Sequence, residues 1–61
     1  MERRELLPIG YEAFNGHVFT SADCAYYNRL QSEINRWIDA GRAVPEHILD
    51  ESHRAFVTII S

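Results

Sequence analysis

Lysine is absent from this 61-residue chain, and cysteine and tryptophan each occur once. The only cations are six arginines, Arg3, Arg4, Arg29, Arg36, Arg42 and Arg54, dispersed along a chain of formal net charge −3. Binding to nucleic acid without sequence preference draws on clustered Lys and Arg that release counterions. That composition argues against a nucleic-acid partner. A single cysteine, Cys24, rules out an intramolecular disulfide and suits a reducing compartment. There is no Cys-x-x-Cys pair, so no structural zinc is expected. No apolar run approaches the ~18 residues of a membrane helix, and Met1-Glu2-Arg3-Arg4-Glu5 has no apolar core of signal-peptide length. The expectation is a cytoplasmic protein with no membrane attachment.

What is present is a compact apolar vocabulary. Nearly half of the residues are hydrophobic, with three Tyr, three Phe and Trp37 among them. That is ample for a folded chain and too much for a disordered one. Yet a domain of this size buries only about 60% of the surface of its unfolded chain. Without disulfide or metal, oligomerisation is the remaining source of stability.

Three zones follow one another within a single domain. Residues 1–10 read as flexible or irregular, because Pro8 and Gly10 stop any helical turn begun at Glu2. Residues 11–20 form a strand region. Asn15-Gly16 between aromatic and β-branched residues is a strong hairpin signal. A two-residue turn, however, would pair Phe14 with His17 and mix polar and apolar side chains on each face. The competing reading, slightly favoured, is one strand over His17–Thr20 that pairs with its copy in a second subunit, since a lone strand leaves its backbone unsatisfied.

The remainder is helical. The first helix spans 21–41, with Thr20 or Ser21 as its cap, Asp23 in the first turn and Gly41 as the left-handed residue that ends it. Tyr27, Leu30, Ile34, Trp37 and Gly41 recur at spacings of three and four, a heptad-like seam widened by Tyr26 and Ile38. The second helix spans 45–60. Pro45 suits its first position, and Ile48, Leu49, Ser52, Ala55, Phe56, Ile59 and Ile60 make one stripe. The short link between them predicts a helical hairpin. The fold class is therefore mainly α: a helical hairpin preceded by one short β-strand or hairpin, in an intertwined homodimer. Each large apolar side chain left wet forfeits about 1.5–3 kcal/mol, and two facing helices hide only half of each stripe. Dimer interface or core is thus expected at Val18, Phe19, Tyr27, Leu30, Ile34, Trp37, Leu49, Phe56 and Ile59. A groove for a partner is expected at Trp37, Ile38, Phe56 and Ile60.

Chemistry finds little purchase. His17 and Cys24 are the one pairing of a base with a nucleophile, and no third group orients them. His47 and Glu51 share a helix face, with Glu46, Asp50 and His53 nearby, but such surface groups are ordinarily solvated. Tyr26, Tyr27 and Trp37 suit a core better than a base-stacking platform, given the charge balance. Arg3-Arg4 is neutralised by Glu2 and Glu5. No catalytic residue, metal or cofactor is expected.

Two resemblances bear on function. A strand followed by two helices in a dimer resembles the ribbon–helix–helix repressors, which imply DNA reading by paired strands. Here the strand residues His17, Val18, Phe19 and Thr20 include no Arg or Lys. The run Glu5-Leu6-Leu7-Pro8-Ile9-Gly10-Tyr11-Glu12-Ala13-Phe14-Asn15-Gly16-His17-Val18-Phe19, together with overall size, resembles the small early proteins of lambda-like temperate phages, encoded between the exonuclease and excisionase genes. That family implies a dimer with two helices and one strand per subunit. It also implies early expression and a role favouring lytic over lysogenic development. The function expected is that of a non-enzymatic homodimer acting in the host cytoplasm on an unidentified host or phage protein, the alternative being a DNA-binding regulator.

Overall fold

The computed structural model describes residues 2–61; Met1, within the zone read as irregular, lies outside them. Two helices form the frame: α1 over Ser21–Asp39 and α2 over Glu46–Ile60, packed against each other as a hairpin. The N-terminal end of α1 is fixed by a capping box. The Thr20 hydroxyl accepts from the Asp23 N–H at 3.1 Å, and the Asp23 carboxylate accepts from the Thr20 N–H at 3.0 Å. Its C-terminal end is a Schellman motif. The Gly41 N–H donates to the Ile38 carbonyl and the Arg42 N–H to the Trp37 carbonyl, both at 3.0 Å, with Gly41 at φ +71°. The Arg42 guanidinium then sits over the Trp37 ring, 5.5 Å from its centroid.

The helix limits differ from the sequence reading by one or two residues. Helix α1 ends at Asp39 because Gly41 already belongs to the cap. Pro45 precedes α2 with an extended ψ of 140°, and its carbonyl accepts from the Ile48 and Leu49 N–H groups.

Residues 11–20 turn back on themselves. The Ala13 N–H donates to the His17 carbonyl at 2.8 Å, the Gly16 N–H to the Ala13 carbonyl at 2.9 Å, and the Phe19 N–H to the Tyr11 carbonyl at 2.8 Å. The one ladder pair is an antiparallel bridge, Glu12 to Val18, and no longer strand forms among the described residues. The loop has three residues, Phe14-Asn15-Gly16, and no non-glycine residue takes a positive φ among the described residues, so a two-residue type I′ turn does not form. Gly16, at φ +89°, absorbs the extra residue as a bulge. This one-residue change of register sorts the faces. Tyr11, Ala13, His17 and Phe19 turn toward the helices, while Glu12 and Val18 turn outward. The backbone of the region expected to seek a second subunit is paired within the chain.

The core is continuous across these parts. Ala13, Phe19 and Cys24 are buried, with Leu7, Tyr11, Tyr27, Phe56, Ile59 and Ile60 packed against them. Phe19 is the hub, with ring centroids of Tyr11, Phe56 and Tyr27 at 5.4, 5.9 and 6.1 Å. Leu30, Ile34, Ile48 and Ala55 continue the interior between the helices. The stripes judged too broad for one helical hairpin are thus covered in large part by the chain's own residues 7–19. The exposed surface, 4346 Å², is only slightly above the roughly 4,100 Å² typical of a compact monomer of this mass.

Candidate functional site

Residues 2–8 are held along α1, running antiparallel to it. Asn35 grips Arg4 by its backbone: Oδ1 accepts from the Arg4 N–H at 2.6 Å and Nδ2 donates to the Arg4 carbonyl at 2.9 Å. Asn28 grips Leu7 in the same way, both bonds at 2.9 Å. The two asparagines stand two helical turns apart, about 10.5 Å. Three residues of extended chain span about 10 Å. The two rulers agree, so consecutive clamps engage without bending the arm. Beyond them, Arg3 pairs with Asp39, which holds the guanidinium charged, and the Cys24 thiol donates to the Pro8 carbonyl at 3.4 Å.

This arm was read from the sequence as irregular. Its attachment depends on amides in a helix, and Asn is a poor helix former. Asn28, Gln31 and Asn35, spaced three and four, were the available signal: a second stripe beside the apolar seam. Gln31 is fully buried. Its Nε2 donates to the Ser52 hydroxyl of α2, and its Oε1 has no partner among the described residues.

The hairpin loop docks on the end of α2. The Asn15 Nδ2 donates to the Ile60 carbonyl at 2.8 Å, and its Oδ1 accepts from the His17 N–H at 3.1 Å. Phe14 lies stacked over Phe56 at 6.5 Å with 86% of its surface exposed. Leu6, Ile9, Val18, Tyr26 and Val57 are the other large apolar side chains left open, with Ile9 at 70%. Four of these six lie between residues 6 and 18.

Of the residues expected in core or interface, Phe19, Leu30 and Ile34 are buried, whereas Tyr27, Trp37, Leu49, Phe56 and Ile59 are half-buried. Val18 is exposed on the outer side of the bridge. The expected groove is not assembled within one chain. Trp37 and Ile38 sit by the bend between the helices, and Phe56 and Ile60 sit at the opposite end against Phe19. Tyr27 packs against Phe56, and Trp37 is ten residues further along α1, roughly 15 Å away. At the Phe56 end, burial pushes the Tyr27 phenol up, with Arg4 opposing it. A cleft of about 310 Å³ there is lined by Arg4, Tyr27, Leu49, Ser52, His53 and Phe56.

The possible reactive pair is separated by its partners. His17 Nε2 lies 3.0 Å from Asp23 Oδ2, while the buried Cys24 thiol points to Pro8. Among the described residues no three His, Cys, Asp or Glu side chains converge as metal ligands, and no helix is long and apolar enough to cross a membrane. Comparison with protein-family models, with curated proteins and with solved structures finds no match.

Proposed function

We propose that this chain is a non-enzymatic interaction protein that works as a homodimer, in the manner of the phage early proteins it resembles in the run Glu5 to Phe19 and in size, and that favours lytic development by binding a host or phage protein. The observation that carries the reading is the open apolar surface around the hairpin loop, led by Phe14. Covering a side chain of that size contributes about 1.5–3 kcal/mol. Leu6, Ile9 and Val18, the other open apolar side chains between residues 6 and 18, add surface for a second copy to bury.

Sedimentation velocity across nanomolar to millimolar concentration tests the dimer. A twofold mass that Phe14→Glu abolishes, with helicity unchanged, is the expected result. Infection with phage lacking the chain tests the biological role, and a higher frequency of lysogeny is expected. A reading as a DNA-binding ribbon gains nothing from the bridge, whose outward side chains are an acid and a valine. A gel shift at low salt discriminates it, because electrostatic binding is strongest there.

A further inference from the structure

We propose that the cleft bounded by the N-terminal arm, α1 and α2 is a binding site for a monocarboxylate carried on a compact apolar body, such as a single ring. The site lies within one chain, so it is independent of self-association.

Three parts of the fold supply its wall. Arg4 comes from the arm, Tyr27 from α1, and Leu49, Ser52, His53 and Phe56 from α2. No acid lines it, although the chain carries nine acids against six arginines. Arg3 and Arg54 pair with Asp39 and Asp50, whereas Arg4 has no acidic partner among the described residues. The Arg4 main chain is pinned by Asn35, which tethers its guanidinium at the cleft. A planar guanidinium presents a fork that matches a carboxylate.

The buried part of the wall donates as well. Ser52 is only 3% exposed. Gln31 Nε2 faces the Tyr27 carbonyl at 3.5 Å and donates to the Ser52 hydroxyl. A carbonyl can only accept, and this fixes which way the Gln31 amide points. With its oxygen taken as acceptor, Ser52 keeps its own proton to give. Gln31, whose oxygen would repel an anion, is fully buried and does not line the cleft. Tyr27 and His53 each bring a further hydrogen to donate. Donors on all three parts, around one fixed positive charge, select an acceptor carrying one negative charge.

The rest of the wall is apolar. Leu49, Phe56 and the ring of Tyr27 supply it, the two rings meeting edge to face at 5.9 Å. The volume, about 310 Å³, lies at the lower end of the roughly 300–1,000 Å³ of ligand pockets. It suits one ring with a short acid arm. Such a group comes either as a free small acid or as the C-terminal residue of a polypeptide.

The test is an amide NMR titration of the full-length chain with phenylpropionate, N-acetylphenylalanine and the uncharged N-acetylphenylalanine amide. The expected result is saturable shifts at Tyr27, Ser52 and His53 with both acids. The amide should bind about tenfold more weakly or worse, for want of the charge-assisted pair with Arg4. Arg4→Gln keeps the main-chain bonds to Asn35 and should erase the preference for acid over amide. Arg36→Gln makes the same change of charge away from the cleft and should preserve that preference. Tighter binding of N-acetylphenylalanine assigns the site to a polypeptide end, and tighter binding of phenylpropionate assigns it to a free acid. No saturable shift with either acid overturns the site. So does an amide that binds as tightly as the acids, or an equal loss in the two arginine variants, which would reduce the attraction to overall charge.

Discussion

Asn35 and Arg4, thirty-one residues apart, are joined by a two-point amide-to-backbone pairing of the kind that joins neighbouring strands. Asn35→Ala leaves the Arg4 N–H and carbonyl without those partners, and Asn35→Asp keeps the acceptor but loses the donor. The alanine variant is expected to lose about 1–3 kcal/mol, two hydrogen bonds at about 0.5–1.5 kcal/mol each. Hydrogen exchange localises the effect: the Arg4 and Leu7 amides lose protection first, and those in the middle of α2 keep theirs.

Gln31 and Ser52 are a buried polar pair with one acceptor unspent. Ser52→Ala removes the nearer acceptor of Gln31 Nε2, leaving it the Tyr27 carbonyl at 3.5 Å, and is expected to cost about 1–3 kcal/mol in urea denaturation. The double variant Gln31→Leu with Ser52→Ala removes both partners and the orphaned oxygen together. It is expected to be as stable as the natural chain or more so. A double variant less stable than Ser52→Ala alone shows that the pair stabilises the interior in its own right.

Asp23 carries the pH dependence at the start of α1. The Thr20 N–H and His17 hold its carboxyl below the ordinary carboxylate range. A group depressed in the folded state contributes stability above its unfolded value and loses it as pH falls through the folded one. Urea midpoints measured downward from pH 5 should therefore drop more steeply for the natural chain than for Asp23→Ala. Parallel curves would remove Asp23 from this role.

Gly16 holds the hairpin register. An added Cβ there meets no atom within 4 Å, so Gly16→Ala isolates the backbone cost of φ +89°. The loss is expected to be about 1–2 kcal/mol. It should weaken the Asn15 contact to α2, seen as a chemical-shift change at Ile60.

Both helices were legible in the sequence, because apolar spacing, the Thr20 cap and the Gly41 stop are local signals that tertiary structure had no reason to override. The hairpin was half legible. Asn15-Gly16 marks the reversal, but the choice between a two-residue and a three-residue loop is made by which register turns Tyr11, Ala13 and Phe19 inward together. The arm was not legible. Its side chains carry no periodicity, and what holds it is written in another segment, as Asn28, Asn35 and Asp39. The residues of the expected groove are not together within one chain, because a stripe on a helical wheel does not show how far apart along the axis its members lie.

The clamps grip peptide groups, and the side chains of Glu2, Glu5 and Leu6 stand exposed. Positions 2, 5 and 6 can therefore drift in charge and size under selection while the strand keeps its path along the helix. Proline is the exception at 4 and 7, where each amide hydrogen is a point of attachment. A lineage could thus alter the charge and polarity this edge presents without redesigning the scaffold beneath it.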